Sequence, residues 1–265
     1  MSAFLDLHVP GRPLLMPNPW DIGSARLLEA AGFRALATTS SGFAASLGRL
    51  DGQVSRKEAI AHAAAIAAAV DVPVSADLEH CFADDPEGVA ATVRLAVAAG
   101  LAGCSVEDAT GRDGDPLYDI GLATERVFAA VEAAGGSLVI TARAEGLFHG
   151  ASLDAVIGRL QRFQDAGAQV LFAPGLATER DVETVLGAVD RPINVLAWPG
   201  LPPVPRLAEL GVARISVGGA LANAAYGALV TAAEELLDTG TDGYRALAEV
   251  GGRAAAAAFR AAPDA

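Results

Sequence analysis

A chain of 265 residues, 52% hydrophobic and 19% charged, carries enough apolar side chains for a large buried core and too many for disorder. Its net charge of -13 and pI near 4.6, with no Lys/Arg cluster, exclude binding to a phosphate backbone by charge neutralisation, so no nucleic-acid partner is expected. No apolar run approaches the ~20 residues of a membrane span. The opening MSAFLDLHVPGRP lacks a basic segment followed by an apolar one, so no signal peptide is expected.

The elements alternate along the chain. A strand is expected at Leu14–Met16 and a helix at Ser24–Ala31. A second strand follows at Ala35–Thr39, then a polar TTSSGF turn and a helix at Ser55–Val70. Val72–Leu78 is the third strand, Pro86–Ala99 a helix, Gly103–Glu107 the fourth strand and Thr124–Ala134 a helix. Strands at Leu138–Arg143, Val170–Ala173, Ile193–Leu196 and Arg214–Val217 then alternate with helices at Leu153–Ala166, Thr178–Val189 and Val204–Leu210. Two longer helices, Ala220–Leu237 and Tyr244–Ala261, close the chain. Several helices run into a glycine just before the next strand, as in AAGF, AAGLAG, AAGG, DAGAQ and ELGVA, because glycine adopts the left-handed conformation that ends a helix. Strict alternation implies a parallel sheet covered on its faces. Eight units point to an α/β fold of the TIM-type (β/α)8 barrel class, with no linker and one domain over residues 1–265.

In such a barrel the chemistry sits at the C-terminal ends of the strands. After the second strand, Ser40, Ser41 and Gly42 offer hydroxyl and amide donors to an anion, or form an ordinary polar turn. The third strand ends in SADLEH, and alternation puts Asp77 and Glu79 on one face. The fourth ends in SVEDAT, with Glu107 and Asp108. Acids gathered at one mouth repel each other unless a cation lies between them, and oxygen donors suit Mg²⁺. The fifth strand ends in TARAE, where Arg143 either binds a substrate carboxylate or pairs with neighbouring acids. Gly218 and Gly219 follow the eighth strand; such a pair serves close helix–strand packing or, in some barrels, a phosphate site. His62 reads as structural, whereas His80 and His149 follow strand ends. No H-E-x-x-H, G-x-S-x-G or Walker loop occurs. Cys81 and Cys104 have no metal-binding spacing; Cys81 reads as a packing residue, and a reducing, cytoplasmic setting is expected.

SADLE, SVEDAT and TARAE, in that order, together with PNPWDIGSARLLEAAGF, the SSGF turn and LGRLDG, resemble the isocitrate lyase/phosphoenolpyruvate mutase superfamily from about Met16 to about Leu237. The resemblance implies that Asp77 is a direct ligand of Mg²⁺ (or Mn²⁺ in its place) and that Glu79 and Glu107 act on the metal at longer range or through water. Asp51 matches a loop aspartate near metal and substrate. Ser41 and Gly42, with Ser40 beside them, match the turn that holds the substrate carboxylate, and Arg143 matches an arginine at the reacting centre. It further implies a lyase or decarboxylase acting on a small 2-oxo or 2-hydroxy (di)carboxylic acid through a metal-stabilised enolate. Cleavage of a C–P bond and non-catalytic binding of a 2-oxo acid are the alternatives. A homo-oligomer, a dimer or tetramer with C-terminal helices exchanged between subunits, is implied as well.

The sequence also departs from that pattern. The superfamily's lyases carry Lys-Lys-Cys-Gly-His after the fourth strand, and its phosphonate-processing members carry Lys and Asn there. This chain has GRDGDPLYD. Cys81-Phe82 replaces a usual Gly-Tyr, and Thr39 stands where an aromatic residue often covers the substrate. The general acid or base is not fixed by sequence; Glu145, His80 and Tyr118 are candidates.

Overall fold

The computed structural model describes residues 3–238 and 243–260. Eight strands, β1 (Leu14–Met16), β2 (Leu36–Ala37), β3 (Val74–Asp77), β4 (Gly103–Glu107), β5 (Val139–Arg143), β6 (Val170–Phe172), β7 (Ile193–Leu196) and β8 (Arg214–Ser216), form one sheet in the order β1-β8-β7-β6-β5-β4-β3-β2. Every strand pair is parallel. At the remaining seam, between β1 and β2, the Ala37 N–H donates to Pro17 O at 3.1 Å, so the sheet curls into a nearly closed TIM-type barrel.

The helices are α1 (Ile22–Ala30), α2 (Ser40–Ser46), α3 (Arg56–Ala67), α4 (Pro86–Ala98), α5 (Ile120–Ala134), α6 (Leu153–Asp165), α7 (Glu179–Leu186), α8 (Val204–Leu210), α9 (Ala220–Asp238) and α10 (Arg245–Arg260). Their starts follow local chemistry. Asp21, Ser55 and Thr178 each close a reciprocal cap with the residue three further on. Gly100 and Gly167 end their helices with φ of 75° and 97°, conformations in which a Cβ would be strained. Ala261, the expected end of the last helix, lies outside the described residues.

Element ends shift by a few residues at several places, β2 shortening to Leu36–Ala37 and α7 ending at Leu186, and three differences have a visible cause. The SSGF segment is not a turn but helix α2, because the Thr39 side chain caps it by accepting from Gly42 N at 3.3 Å. Helix α5 begins at Ile120 rather than Thr124, because Asp119 accepts from Gly121 N at 2.8 Å and starts it one turn early. Val72 does not enter β3. Its N–H donates instead to Glu29 Oε1 at 3.1 Å, tying that segment to α1.

Alternation sorts each strand. On β5, Ile140 and Ala142 pack outward against helices, while Val139, Thr141 and Arg143 face the barrel interior. The lower end of the interior is an apolar plug, where Phe4, Leu14, Met16, Ala35, Val139 and Val170 cluster. The 3-10 turn Leu5–Leu7 carries Phe4 and His8 to that end. Above the plug the interior turns polar, with Ser75, Ser105, Thr141, Asn194, Arg214 and Ser216 lining a cavity that opens at the C-terminal mouth.

Candidate active site

Asp77 is the last residue of β3 and points into the cavity. Its backbone N–H donates to Thr38 Oγ1 at 2.9 Å, which sets the strand end. Its Oδ1 accepts from Arg143 Nη1 at 2.9 Å and from Ser105 Oγ at 3.1 Å, and its Oδ2 accepts from Ser40 N at 3.2 Å. One carboxylate thus links β3, β4, β5 and the first turn of α2.

Arg143 joins three acids. Besides Asp77, its Nη1 lies 3.3 Å from Glu107 Oε2, and its Nε donates to Glu145 Oε1 at 2.8 Å. Against the cost of its burial, those three carboxylates hold Arg143 firmly protonated. Its guanidinium carbon also sits 5.3 Å from the centre of the Phe172 ring. Behind this set, Asp108 accepts from Glu145 N at 2.8 Å and pairs with Arg159 Nη1 at 3.0 Å. Six carboxylates, Asp51, Asp77, Glu79, Glu107, Asp108 and Glu145, therefore gather about two arginines.

That excess of negative charge raises proton affinities. Burial, then the Asp77 and Asp51 carboxylates, push Glu79 up to about 7 against the pull of Arg143. Glu107 is driven well above the usual carboxylate range by burial first, with Glu145, Asp77 and Glu79 adding repulsion that Arg143 only partly offsets. Asp51 stands exposed at the rim, and the walls beside it together with Asp77 raise it, opposed by a hydrogen bond from the Ser40 side chain.

The sequence-predicted residues divide by position. Ser40, Ser41, Asp51, Asp77 and Arg143 all line the cavity, of about 150 Å³, as do Gly218 and Gly219. Gly42 lies behind it. Its N–H is held by Thr39, and a Cβ there would come within 2.6 Å of Thr39 Cγ2 and 3.1 Å of Trp20 Cβ, so packing requires the glycine. Gly219 is likewise a close approach, with Ser41 Oγ 2.6 Å from where a Cβ would lie. Glu79 and Glu107 flank Asp77: Glu79 O accepts from Glu107 N at 3.1 Å, and Glu79 N donates weakly to Asp77 Oδ1 at 3.4 Å.

Of the proton-transfer candidates, Glu145 is buried beneath Arg143, while Tyr118 and His80 lie outside the cavity lining. The Tyr118 hydroxyl donates to Asp84 Oδ1 at 2.5 Å and its ring covers Arg126 at 3.9 Å. His62 stacks on Phe43 with centroids 3.7 Å apart and bonds to Trp20 O at 2.9 Å, a supporting position behind α2. Cys81 is fully buried in the core, and burial pushes its thiol up to about 12, as suits a packing residue.

Several residues that line or brace the site escaped sequence reading. Asn18 accepts from Val217 N and Gly218 N, both at 2.9 Å, and fixes the turn after β8. Arg126 donates to the carbonyls of His80 at 2.7 Å, Asp84 at 2.9 Å and Ala83, bracing the loop that carries Glu79. It sits on the buried stripe of α5 with Ala123, Val127 and Ala130, where a charge is out of place and could have been noticed. Arg214 and Asn194 lie on the inner faces of β8 and β7, and a lone arginine in the run VARISV carried the same signal.

Among the described residues no three Asp, Glu, His or Cys side chains converge closely enough to cage an ion. Mg²⁺ does not require that, since it is commonly held by one or two carboxylates, water and substrate oxygens. Hard oxygen donors around Asp77, with the neighbouring Glu79 carboxylate raised by burial and by the negative charges of Asp77 and Asp51, fit such an ion.

A barrel of this topology, with acids from β3 and β4 bound to an arginine from β5, defines a class that the comparisons narrow. A sequence model of phosphoenolpyruvate phosphomutase matches residues 4–237. A crystal structure of a Burkholderia cenocepacia J2315 protein assigned as a lyase/mutase superposes with a TM-score of 0.93 and 48% identity, covering 99% of this chain and 95% of that one. The 2-methylisocitrate lyase of Escherichia coli K12 is 30% identical over 208 residues, 71% of this chain and 70% of its own. A phosphonopyruvate hydrolase solved with oxalate and Mg²⁺ has a TM-score of 0.80 at 25% identity, covering 89% of this chain and 87% of that one. The chain belongs to the phosphoenolpyruvate phosphomutase family, within the isocitrate lyase/phosphoenolpyruvate mutase superfamily, and is an enzyme of its lyase and mutase kind. Relatives in that superfamily act on small carboxylic acids, and Mg²⁺ accompanies oxalate in one of them.

Proposed function

We propose that this protein is a Mg²⁺-dependent lyase or decarboxylase of a small 2-oxo or 2-hydroxy (di)carboxylic acid. The observation that carries the reading is the Asp77–Arg143 pair at the mouth of a cavity lined by Ser40, Ser41 and Asp51. Asp77, supported by Glu79 and Glu107, would hold Mg²⁺, with Mn²⁺ able to replace it. When bound, the ion would supply a Lewis acid for the 2-oxo group. Ser40 and Ser41 offer hydroxyl donors to the substrate carboxylate. The Arg143 guanidinium, fixed by three acids, places positive charge where an enolate oxygen would develop, and needs no reorganisation to do so. Asp51 borders the cavity, and its carboxylate, bonded by the Ser40 side chain and Gly52 N–H, would be the group to take or give a proton.

The loop after β4 supports bond cleavage without a thiol acid. It is pinned away from the cavity by Arg112 on Asp84 at 3.1 Å, by Tyr118 on Asp84 and by the Ala109–Leu117 bridge, and its sequence has no cysteine or histidine. Turnover assays with oxaloacetate, alkylmalates and phosphonopyruvate, each with Mg²⁺ and with EDTA, test the reading. Metal-dependent C–C cleavage is expected, phosphate release would replace it with C–P chemistry, and binding without turnover would make the protein a 2-oxo acid binder.

The reading extends to one domain over residues 1–265, a cytoplasmic setting and a homo-oligomer. No helix among the described residues is long and apolar enough to cross a membrane. Leu229, Val230 and Leu237 on α9 and Leu247 and Val250 on α10 are exposed, and α10 touches its own chain mainly through α1. Burial of those faces between subunits, with or without exchange of the C-terminal helices, accounts for them. Light scattering that returned a monomer mass would remove this part.

A further inference from the structure

The floor of the cavity holds a cation that pairs with no anion among the described residues. Arg214 is 3% exposed. The acids of the mouth turn elsewhere, Asp77, Glu107 and Glu145 to Arg143 and Asp108 to Arg159. Among the described residues, neutral groups alone hold Arg214: its Nε donates to Asn194 Oδ1 at 2.9 Å, its Nη2 to Thr141 Oγ1 at 3.1 Å, and its Nη1 lies 3.1 Å from His8 Nε2. Burial, then Arg214 itself, push His8 down to about 3, so the imidazole stays neutral and accepts. Burial and the like charge of Arg143 lower Arg214 to about 9, which still leaves it ionised at neutral pH. A buried charge without a counter-charge is costly, and such groups are normally paired.

Position gives this cation a use. Arg143 and Arg214 both line the cavity. Arg214 binds Thr141, which lies two residues before Arg143 on the same face of β5. The two guanidinium groups are therefore about one layer of side chains apart, roughly 6.5 Å of strand rise. The upper one is neutralised by acids, and the lower one by no acid among the described residues. Ser216 Oγ accepts from Asn194 Nδ2 at 2.9 Å, and its own O–H is left to donate into the cavity.

We propose that Arg214, with Thr141 and Ser216, forms a subsite for a second carboxylate, so that the substrate is a diacid whose far end enters the barrel while its 2-oxo acid end stays at Asp77 and Arg143. This rests on the 2-oxo acid reading above and makes its substrate class definite. The neutral cradle fixes the guanidinium but cannot discharge it, and a dianionic substrate supplies the missing charge. A monoacid of equal length would leave Arg214 unpaired with a methyl group against it.

The test compares oxaloacetate with 2-oxobutanoate, which replaces the second carboxylate by a methyl group. Dissociation constants with Mg²⁺ are read from the fluorescence of Trp20 and Trp198 in the first moments after mixing. The unaltered protein is expected to bind oxaloacetate at least ~10-fold more tightly, the scale of a charge-assisted hydrogen bond. Arg214→Met should abolish that preference by weakening oxaloacetate alone, and Arg214→Lys should restore part of it. Equal binding of both acids by the unaltered protein overturns the subsite and leaves the 2-oxo acid reading standing, whether or not the variants fold. An equal loss for both acids in a folded Arg214→Met protein assigns the residue a structural role and also overturns it. Failure of both acids to bind overturns the 2-oxo acid reading and the subsite with it.

Discussion

Arg143 Nη1 stands 2.9 Å from Asp77 Oδ1, and the same nitrogen is 3.3 Å from Glu107 Oε2. A single guanidinium from β5 therefore holds together the ends of β3 and β4. The excess of acids around it makes it the keystone of the mouth, because each buried carboxylate it releases would lose its main counter-charge. This relationship couples stability and function at one residue.

Arg143→Lys is expected to fail in a specific way. Lysine offers a point charge and cannot present two separate nitrogens to Glu145 and to Asp77 with Glu107 at once. Turnover should fall by about 100-fold or more, the scale of a lost transition-state donor. Arg143→Met removes the charge altogether and should cost about 3–5 kcal/mol of stability. Steady-state kinetics and urea unfolding measure the two effects. A lysine variant with unchanged kcat would remove Arg143 from the reacting centre.

Asp77→Asn separates charge from shape. The amide can keep its oxygen toward Arg143 and Ser105, giving up only the 3.2 Å bond from Ser40 N–H, so the barrel end should remain folded. Loss of the negative charge should lower Mg²⁺ affinity by about 100-fold or more, whereas Glu79→Gln should lower it by about 10–100-fold, as for groups that orient a metal's ligands. Calorimetric titration with Mg²⁺ ranks the two. Equal affinities for Asp77→Asn and the parent protein would place the metal elsewhere.

Arg126 is expected to act on the site without touching it. It grips the carbonyls of His80, Ala83 and Asp84 around a segment whose Glu79, Cys81 and Phe82 have φ values of 50°, 58° and 55°. Non-glycine residues avoid that region unless surrounding contacts impose it. Arg126→Met should free the segment, cost about 3 kcal/mol of stability and weaken Mg²⁺ binding through a displaced Glu79. Arg126→Lys should recover part of the stability, because one or two carbonyls can still be reached. Limited proteolysis between residues 79 and 85 reports the loop directly; an unchanged cleavage pattern in Arg126→Met would show that other contacts hold it.

How much of this was open to sequence reading follows from the kind of signal each feature leaves. Strand ends such as SADLE and TARAE announce themselves, because a charged residue directly after a buried strand has few reasons to be there. The barrel itself followed from eight alternating strand and helix units, of which only some end in charge. The helix at Ser40–Ser46 was hidden, since its start depends on the Thr39 side chain turning back to Gly42 and its residues have ordinary turn composition. The roles of Arg126 and Arg214 were hidden for a different reason. Their partners lie 42 to 46 residues away in one case, and up to 206 residues away in the other, and only the closed barrel brings them together. Whether Arg143 served a ligand or its neighbours could not be read from TARAE, because both uses need the same residue at the same place.

The contact between His8 and Arg214 also makes stability depend on pH. Phe4 O bonds to His8 Nδ1 at 3.1 Å, and among the described residues no acid faces the ring to favour its charged form. Unfolded His8 takes up a proton near its ordinary value of 6.5, and folded His8 only near 3. Between those values the unfolded chain binds more protons, so this contribution is fully present above about pH 6.5 and is lost progressively as the pH falls toward 3. The slope in that window approaches about 1.4 kcal/mol per pH unit. His8→Gln cannot take up this proton, and its amide oxygen can still accept from Arg214. The variant should be less steeply destabilised by acid than the parent between pH 6 and 4, on the scale of about 1 kcal/mol per pH unit. Urea midpoints across that range measure it, and parallel curves for the two proteins would show that His8 is not held neutral in the barrel floor.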